Sequence, residues 1–146
     1  IINPIEANRA MNPNGLSTIR APRAFSVLSV LRVFAGLELL QHGTGKILGF
    51  PMVPGFANVH IGSLAGMGGL IELIGGILFT IGLLTRPVAF ILSGFTAAAY
   101  FMAHASRGFY PVLNGGELAA LYCFVFLYFT FAGAGPWSVD ALIGRK

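Results

Sequence analysis

GMGGLIELIGGILFTIGLL, residues 66–84, decides the fold. It is about as long as a bilayer-crossing helix, which needs roughly 20 apolar residues for a hydrocarbon core of ~30 Å. Its only charged residue is Glu72. At helical spacing Gly68, Glu72 and Gly76 fall on one stripe, at i, i+4 and i+8. An acid flanked by glycines on one face of an apolar helix points to close approach of a neighbouring helix. It also points to a carboxyl group held away from lipid.

The rest of the chain agrees. Its 146 residues are enough for one domain, and only 10% of them are charged. A soluble domain carries about 25% charged residues. Mean hydropathy is +0.79. With long apolar runs besides the first, this composition reads as an all-α integral membrane protein, a four-transmembrane-helix bundle. The net charge of +4 does not indicate nucleic acid, because the basic residues lie mostly at the ends of apolar runs. No basic patch with interleaved aromatics is present. The single cysteine, Cys123, excludes an intrachain disulfide and a CxxC metal or redox site. The first residues are polar and lack the apolar core of a signal peptide.

Residues 1–24 read as a polar, cytoplasmic tail, with turn formers at Asn3-Pro4, Asn12-Pro13 and Asn14-Gly15. The membrane domain is expected over 25–143, with spans at about 24–41, 66–84, 87–105 and 117–133. Pro87 suits the first turn of the third span. Residues 42–65 hold several glycines and prolines, so they are expected to form a long interfacial loop. Residues 144–146 form a basic C-terminal end. Four spans place both termini on one side. Arg9, Arg20, Arg23, Arg86, Arg145 and Lys146 lie on that side, against Lys46 and Arg107 on the other. The positive-inside rule therefore puts both termini in the cytoplasm.

On this topology the polar residues gather asymmetrically. Glu38 and His42 lie at the outer end of span one, Glu72 six residues into span two, His104 at the end of span three and Glu117 at the start of span four. Lys46 and His60 belong to the loop on the same side. Arg32 lies near the midplane, where a charge costs about 2.5–3.5 kcal/mol and needs a partner, for which Glu38 or Glu72 is the candidate. Arg32, Glu38, His42, Lys46, Glu72, His104 and Glu117 are thus the candidate polar pocket. Imidazole and carboxyl groups can hydrogen-bond and exchange protons with a quinone headgroup. No HxxH or ExxH pair is present, so no metal site is expected. Each of these residues also has a plain structural explanation: an ion pair that fixes helix register, or solvation at the interface. The aromatic run on span four, Tyr122 to Phe131, reads as a lipid- or partner-facing surface.

Four stretches in order, LELLQHGTGKILGF (37–50), GGLIELIGGILFTIGLLTRPVA (68–89), NGGELAALY (114–122) and GAGPWSVDALI (133–143), follow an arginine inside the first span. This arrangement resembles the DoxX family of small four-helix bacterial membrane proteins, over about residues 25–143. The resemblance implies a membrane subunit with redox associations. Relatives include subunits linked to thiosulfate:quinone oxidoreduction and quinol oxidation, and membrane partners that tether soluble redox or detoxifying enzymes.

Three functions follow as expectations. The first is an accessory or anchoring subunit of a larger membrane complex, in contact with other membrane subunits and without catalytic activity of its own. The second is a quinone-reactive oxidoreductase subunit using the outer polar pocket. The third is a small-molecule or ion carrier, for which four spans leave little room and no inverted repeat is visible.

Overall fold

A computed structural model describes residues 17–145, with side chains from Phe25 onward. The tail expected over residues 1–16 lies outside the described residues. Four long helices follow one another: α1 (Ser17–Ile47), α2 (Leu64–Ile81), α3 (Thr85–Ala103) and α5 (Glu117–Ala132). Two single-turn helices, α4 (Pro111–Asn114) and α6 (Val139–Leu142), flank α5. No strand occurs among the described residues. Segments Phe25–Ile47, Leu64–Ile81 and Thr85–Arg107 are long and apolar enough to cross a membrane. Helix α5 is apolar but has 16 residues, about 24 Å of helix. The chain is an all-α membrane protein.

Helix α1 differs from the expected span at both ends. It begins at Ser17, inside the stretch read as a tail, and passes through Pro22, whose missing N–H removes one bond from a long helix. It also continues through 42–47, which Gly43 and Gly45 were expected to break. Both glycines are buried: they are contact points rather than turns.

Those contacts set the register of the first hairpin. Helices α1 and α2 run antiparallel, with Gly36 against Thr80, Gly76 against Leu40, Gly43 against Leu73 and Gly69 against Lys46 and Ile47. A Cβ on Gly43 would lie 2.6 Å from Leu73 Cα, and one on Gly76 would lie 3.1 Å from Leu40 Cα. The two backbones approach this closely only because side chains are missing there. Gly43→Ala is therefore expected to cost about 1–3 kcal/mol through overpacking against backbone that cannot move aside. Gly94→Ala, at a helical position with nothing within 4 Å of an added Cβ, is expected to be neutral or slightly stabilising. Thermal unfolding in detergent checks both. Equal unfolding temperatures for Gly43→Ala and wild type would refute the close approach.

The second hairpin pairs α3 with α5. Ser93 Oγ donates to the Cys123 carbonyl at 2.8 Å, tying the two helices near their middles. The hairpins meet over an aromatic core. Phe79 of α2 packs edge-on against Phe126 and Phe129 of α5, with centroids 4.9 and 5.1 Å apart. Leu28, Ala35 and Leu39 of α1 and Val88, Ala89 and Leu92 of α3 complete it. Tyr122, Phe126 and Phe129 recur at i, i+4 and i+7 and are buried, whereas Phe124, Tyr128 and Phe131 are exposed. The aromatic run is thus not a uniform surface. Helical periodicity divides it between core and exterior. Most large apolar side chains elsewhere face outward, among them Phe34, Ile74, Phe90 and Leu121, as a hydrocarbon solvent requires.

Candidate functional site

The buried charges fall into two groups at opposite ends of the bundle. At the first end, Arg32 is 1% exposed. Its Nε donates to the Ala134 carbonyl at 2.9 Å and Nη1 to the Phe79 carbonyl at 2.7 Å. Nη1 also reaches the Thr80 carbonyl, and Nη2 the Trp137 carbonyl. Phe79 and Thr80 belong to the last turn of α2, where the Phe79 carbonyl also accepts from the Gly82 N–H at 3.1 Å. Ala134 and Trp137 lie in the segment that leaves α5 and folds back toward α1. One guanidinium thus terminates α2 and holds that returning segment in place. The planar fork of five donors suits four acceptors in a way that an ammonium does not.

This overturns the expected partners of Arg32. It lies half-way along α1 and level with the ends of α2 and α5. Its partners are carbonyls, not Glu38 or Glu72.

Asp140, in the single turn of α6, caps α3. Its carboxylate accepts from the Leu84 N–H at 2.9 Å and the Thr85 N–H at 2.8 Å, and its own N–H donates to the Gly82 carbonyl at 2.8 Å. Gly82 ends α2 in the left-handed conformation (φ 71°), and a Cβ there would meet Ser138 and the Arg32 guanidinium. Burial pushes the Asp140 carboxyl up. The hydrogen bonds from Thr85 and Leu84 and the charge of Arg145 outweigh it, and hold the pKa below the usual carboxylate value. A group depressed in the folded state contributes stability above its unfolded pKa and loses it as pH falls through its folded pKa. Acidification is therefore expected to lower the unfolding temperature of wild type through this group. Asp140→Asn is expected to be less stable at neutral pH by about 1 kcal/mol and to lack that part of the acid dependence. Parallel acid titrations of the two proteins would expose an error here: identical slopes would remove Asp140 from the account.

At the other end, Lys46 Nζ lies 2.8 Å from both Glu72 oxygens. The side chains are 16% and 8% exposed. Lys46 sits in the last turn of α1, where a cation also meets the helix dipole favourably. The Nζ is 5.3 Å from the Phe56 ring centroid, and the His42 ring is 6.0 Å from the same ring. Phe56 belongs to a short 3-10 turn, Pro54–Phe56, in the connection after α1. The pair is closed on itself: each carboxylate oxygen has a donor, and an aromatic face covers the ammonium.

The seven candidate residues are not one pocket. Lys46 and Glu72 meet, with His42 beside Phe56 next to them. Glu38 is half-buried on α1. His104 belongs to the other hairpin: its Nδ1 lies 3.2 Å from the Asn114 carbonyl and its ring stacks on Tyr100. Glu117 is exposed at the start of α5, and His60 is exposed as well. Arg32 is at the opposite end. Among the described residues no group of three or more His, Cys, Asp or Glu could hold a metal ion.

Asn114 and Asp140 are polar anchors that residue type alone did not single out. Asn114 is 2% exposed, donates to the Gly108 carbonyl and the Tyr100 hydroxyl, and accepts from the Gly116 N–H. The NGG pattern at 114–116 was the available signal: a turn former whose side chain satisfies its own loop.

Comparison with known proteins agrees with the fold. The DoxX family model matches residues 27–105. An uncharacterised protein of Haemophilus influenzae is 45% identical over 123 residues, covering 82% of this chain and 92% of its own length. A second uncharacterised protein of the same organism is 31% identical over 132 residues, covering 81% of this chain and 83% of its own. No solved structure matches. The family match covers the Arg32 helix, the Lys46–Glu72 hairpin and α3 together, and on that extent the chain belongs to the DoxX family.

Proposed function

We propose that this protein is an accessory or anchoring subunit of a larger membrane complex, crossing the bilayer four times with both termini in the cytoplasm of a bacterial cell. One observation carries the reading. Among the described residues the buried charges are satisfied within the fold: Arg32 by carbonyls, Glu72 by Lys46 and Asp140 by backbone N–H groups. Groups held this way stabilise one helix arrangement. The outer surface is large and apolar and suited to lipid and to other transmembrane subunits. The distribution of arginines supports the orientation.

A second reading keeps a specific observation. His42, half-buried beside Phe56, adjoins the Lys46–Glu72 pair under the connecting loop, a setting suited to a quinone headgroup. Extraction from the native membrane in mild detergent, with mass spectrometry of co-purifying proteins and quinones, separates the two. The accessory role predicts a partner protein at fixed ratio and no quinone retained by the isolated chain. Quinone retained by the isolated chain, and lost in Glu72→Gln with folding intact, would replace it with the second reading.

A further inference from the structure

A cavity at the Arg32 end is not explained by the roles above. It is an open cleft of about 900 Å³, within the size range of small-molecule sites. It runs between the first turn of α3 and the segment linking α5 to α6. Its lining is divided by chemistry. Phe25, Pro87, Pro136 and Trp137 supply an apolar wall, while Arg86 and Arg145 supply positive charge.

The two arginines are differently held. Arg86 donates one N–H to the Thr130 carbonyl at 3.2 Å, and its guanidinium lies over Gly133, where a Cβ would come 3.4 Å from Nη2. Four of its five donors remain after that bond. Arg145 is exposed, and its charge acts on Asp140. Asp140 is already committed to the α3 backbone, so the cleft keeps an excess of positive charge. Trp137 is 60% exposed beside it, and an exposed indole at the end of an apolar bundle marks the level of lipid headgroups.

We propose that this cleft binds one anionic phospholipid, with its phosphate between Arg86 and Arg145 and the start of an acyl chain against Phe25, Pro87 and Trp137. Charge complementarity selects the occupant. Basic pockets between membrane helices at the interface hold anionic headgroups, and arginine matches phosphate with paired donors. An apolar wall beside the charge favours a lipid over a free anion. The proposal is independent of whether the protein is an accessory subunit.

Full-length protein is delipidated in mild detergent and given phosphatidylglycerol, phosphatidylcholine or inorganic phosphate alone. Retention is read by native mass spectrometry, and protection by thermal unfolding. Phosphatidylglycerol is expected to stay bound and to raise the unfolding temperature, and phosphatidylcholine and inorganic phosphate are expected to do neither. In Arg86→Gln/Arg145→Gln the affinity for phosphatidylglycerol is expected to fall at least about tenfold. Arg107→Gln, which removes the same charge at the opposite end, is expected to change nothing. Arg145→Gln alone, at an exposed position, keeps the test valid if the double variant does not fold, and a several-fold loss is expected there. Equal binding of the two lipids, or unchanged affinity in Arg145→Gln, would overturn the proposal. Protection by inorganic phosphate equal to that by phosphatidylglycerol would overturn it in favour of a free-anion site.

Discussion

Arg32→Met is expected to abolish the folded bundle. The substitution removes the cost of burying a guanidinium, and replacing a buried ion by an apolar side chain is often harmless when its partner ion is replaced too. Here the partners are backbone carbonyls of Phe79, Thr80, Ala134 and Trp137, which no mutation can remove. A buried acceptor left without a donor costs about 1–3 kcal/mol. The Phe79 carbonyl keeps the Gly82 N–H, so three partly buried acceptors lose their donor, a loss that is still a large part of a typical domain's stability of about 5–15 kcal/mol. Water cannot substitute easily, because Arg32 is 1% exposed. Arg32→Lys is expected to recover only part of the loss, since a single ammonium cannot span acceptors on both α2 and the returning segment. Circular dichroism through a thermal ramp in detergent, with size exclusion to detect aggregation, measures both. An Arg32→Met protein that unfolds at the wild-type temperature would show that the carbonyls find other donors.

The second large effect is expected at the Lys46–Glu72 pair, and its sign depends on whether one or both residues change. Lys46→Met leaves a carboxylate 8% exposed without its counter-ion, and Glu72→Leu leaves the ammonium. Breaking a buried pair from one side costs about 3–5 kcal/mol. The double variant Lys46→Met/Glu72→Leu is expected to lie within about 1.5 kcal/mol of wild type, because both desolvation costs disappear with the attraction. The four proteins form a double-mutant cycle. A double variant as unstable as the sum of the singles would mean that the two residues act separately.

The glycine contacts make this pair possible. Glu72 and Lys46 are 26 residues apart, and they meet because Gly43 and Gly69 let the two backbones close around them. A larger residue at either position would separate the helices before the side chains could reach. Of the Gly68–Glu72–Gly76 stripe read from sequence, Gly76 lies against the α1 backbone at Leu40, whereas Gly68 lies against the Phe95 ring of α3. The sequence did not reveal which partner the acid would find.

Sequence alone determined the solvent and the class of fold. Apolar runs of membrane-crossing length, few charges and the Pro-Gly punctuation between runs leave a helical membrane protein as the arrangement that satisfies every backbone group in lipid. The family was legible for the same reason: its motifs lie where helices must touch or turn. The partners of the buried charges were decided only by tertiary structure. Arg32 found carbonyls, and carbonyls are present at every residue and carry no sequence mark. Asp140 found the N-terminus of a helix that begins 55 residues earlier in the chain. The seven polar residues assigned to one end were sorted by helix length and rotation, which differ by a few residues from any pattern-based boundary. Arg32 lies half-way along α1, but α2 and α5 end at its level, so its guanidinium meets helix-end and loop carbonyls rather than an acid.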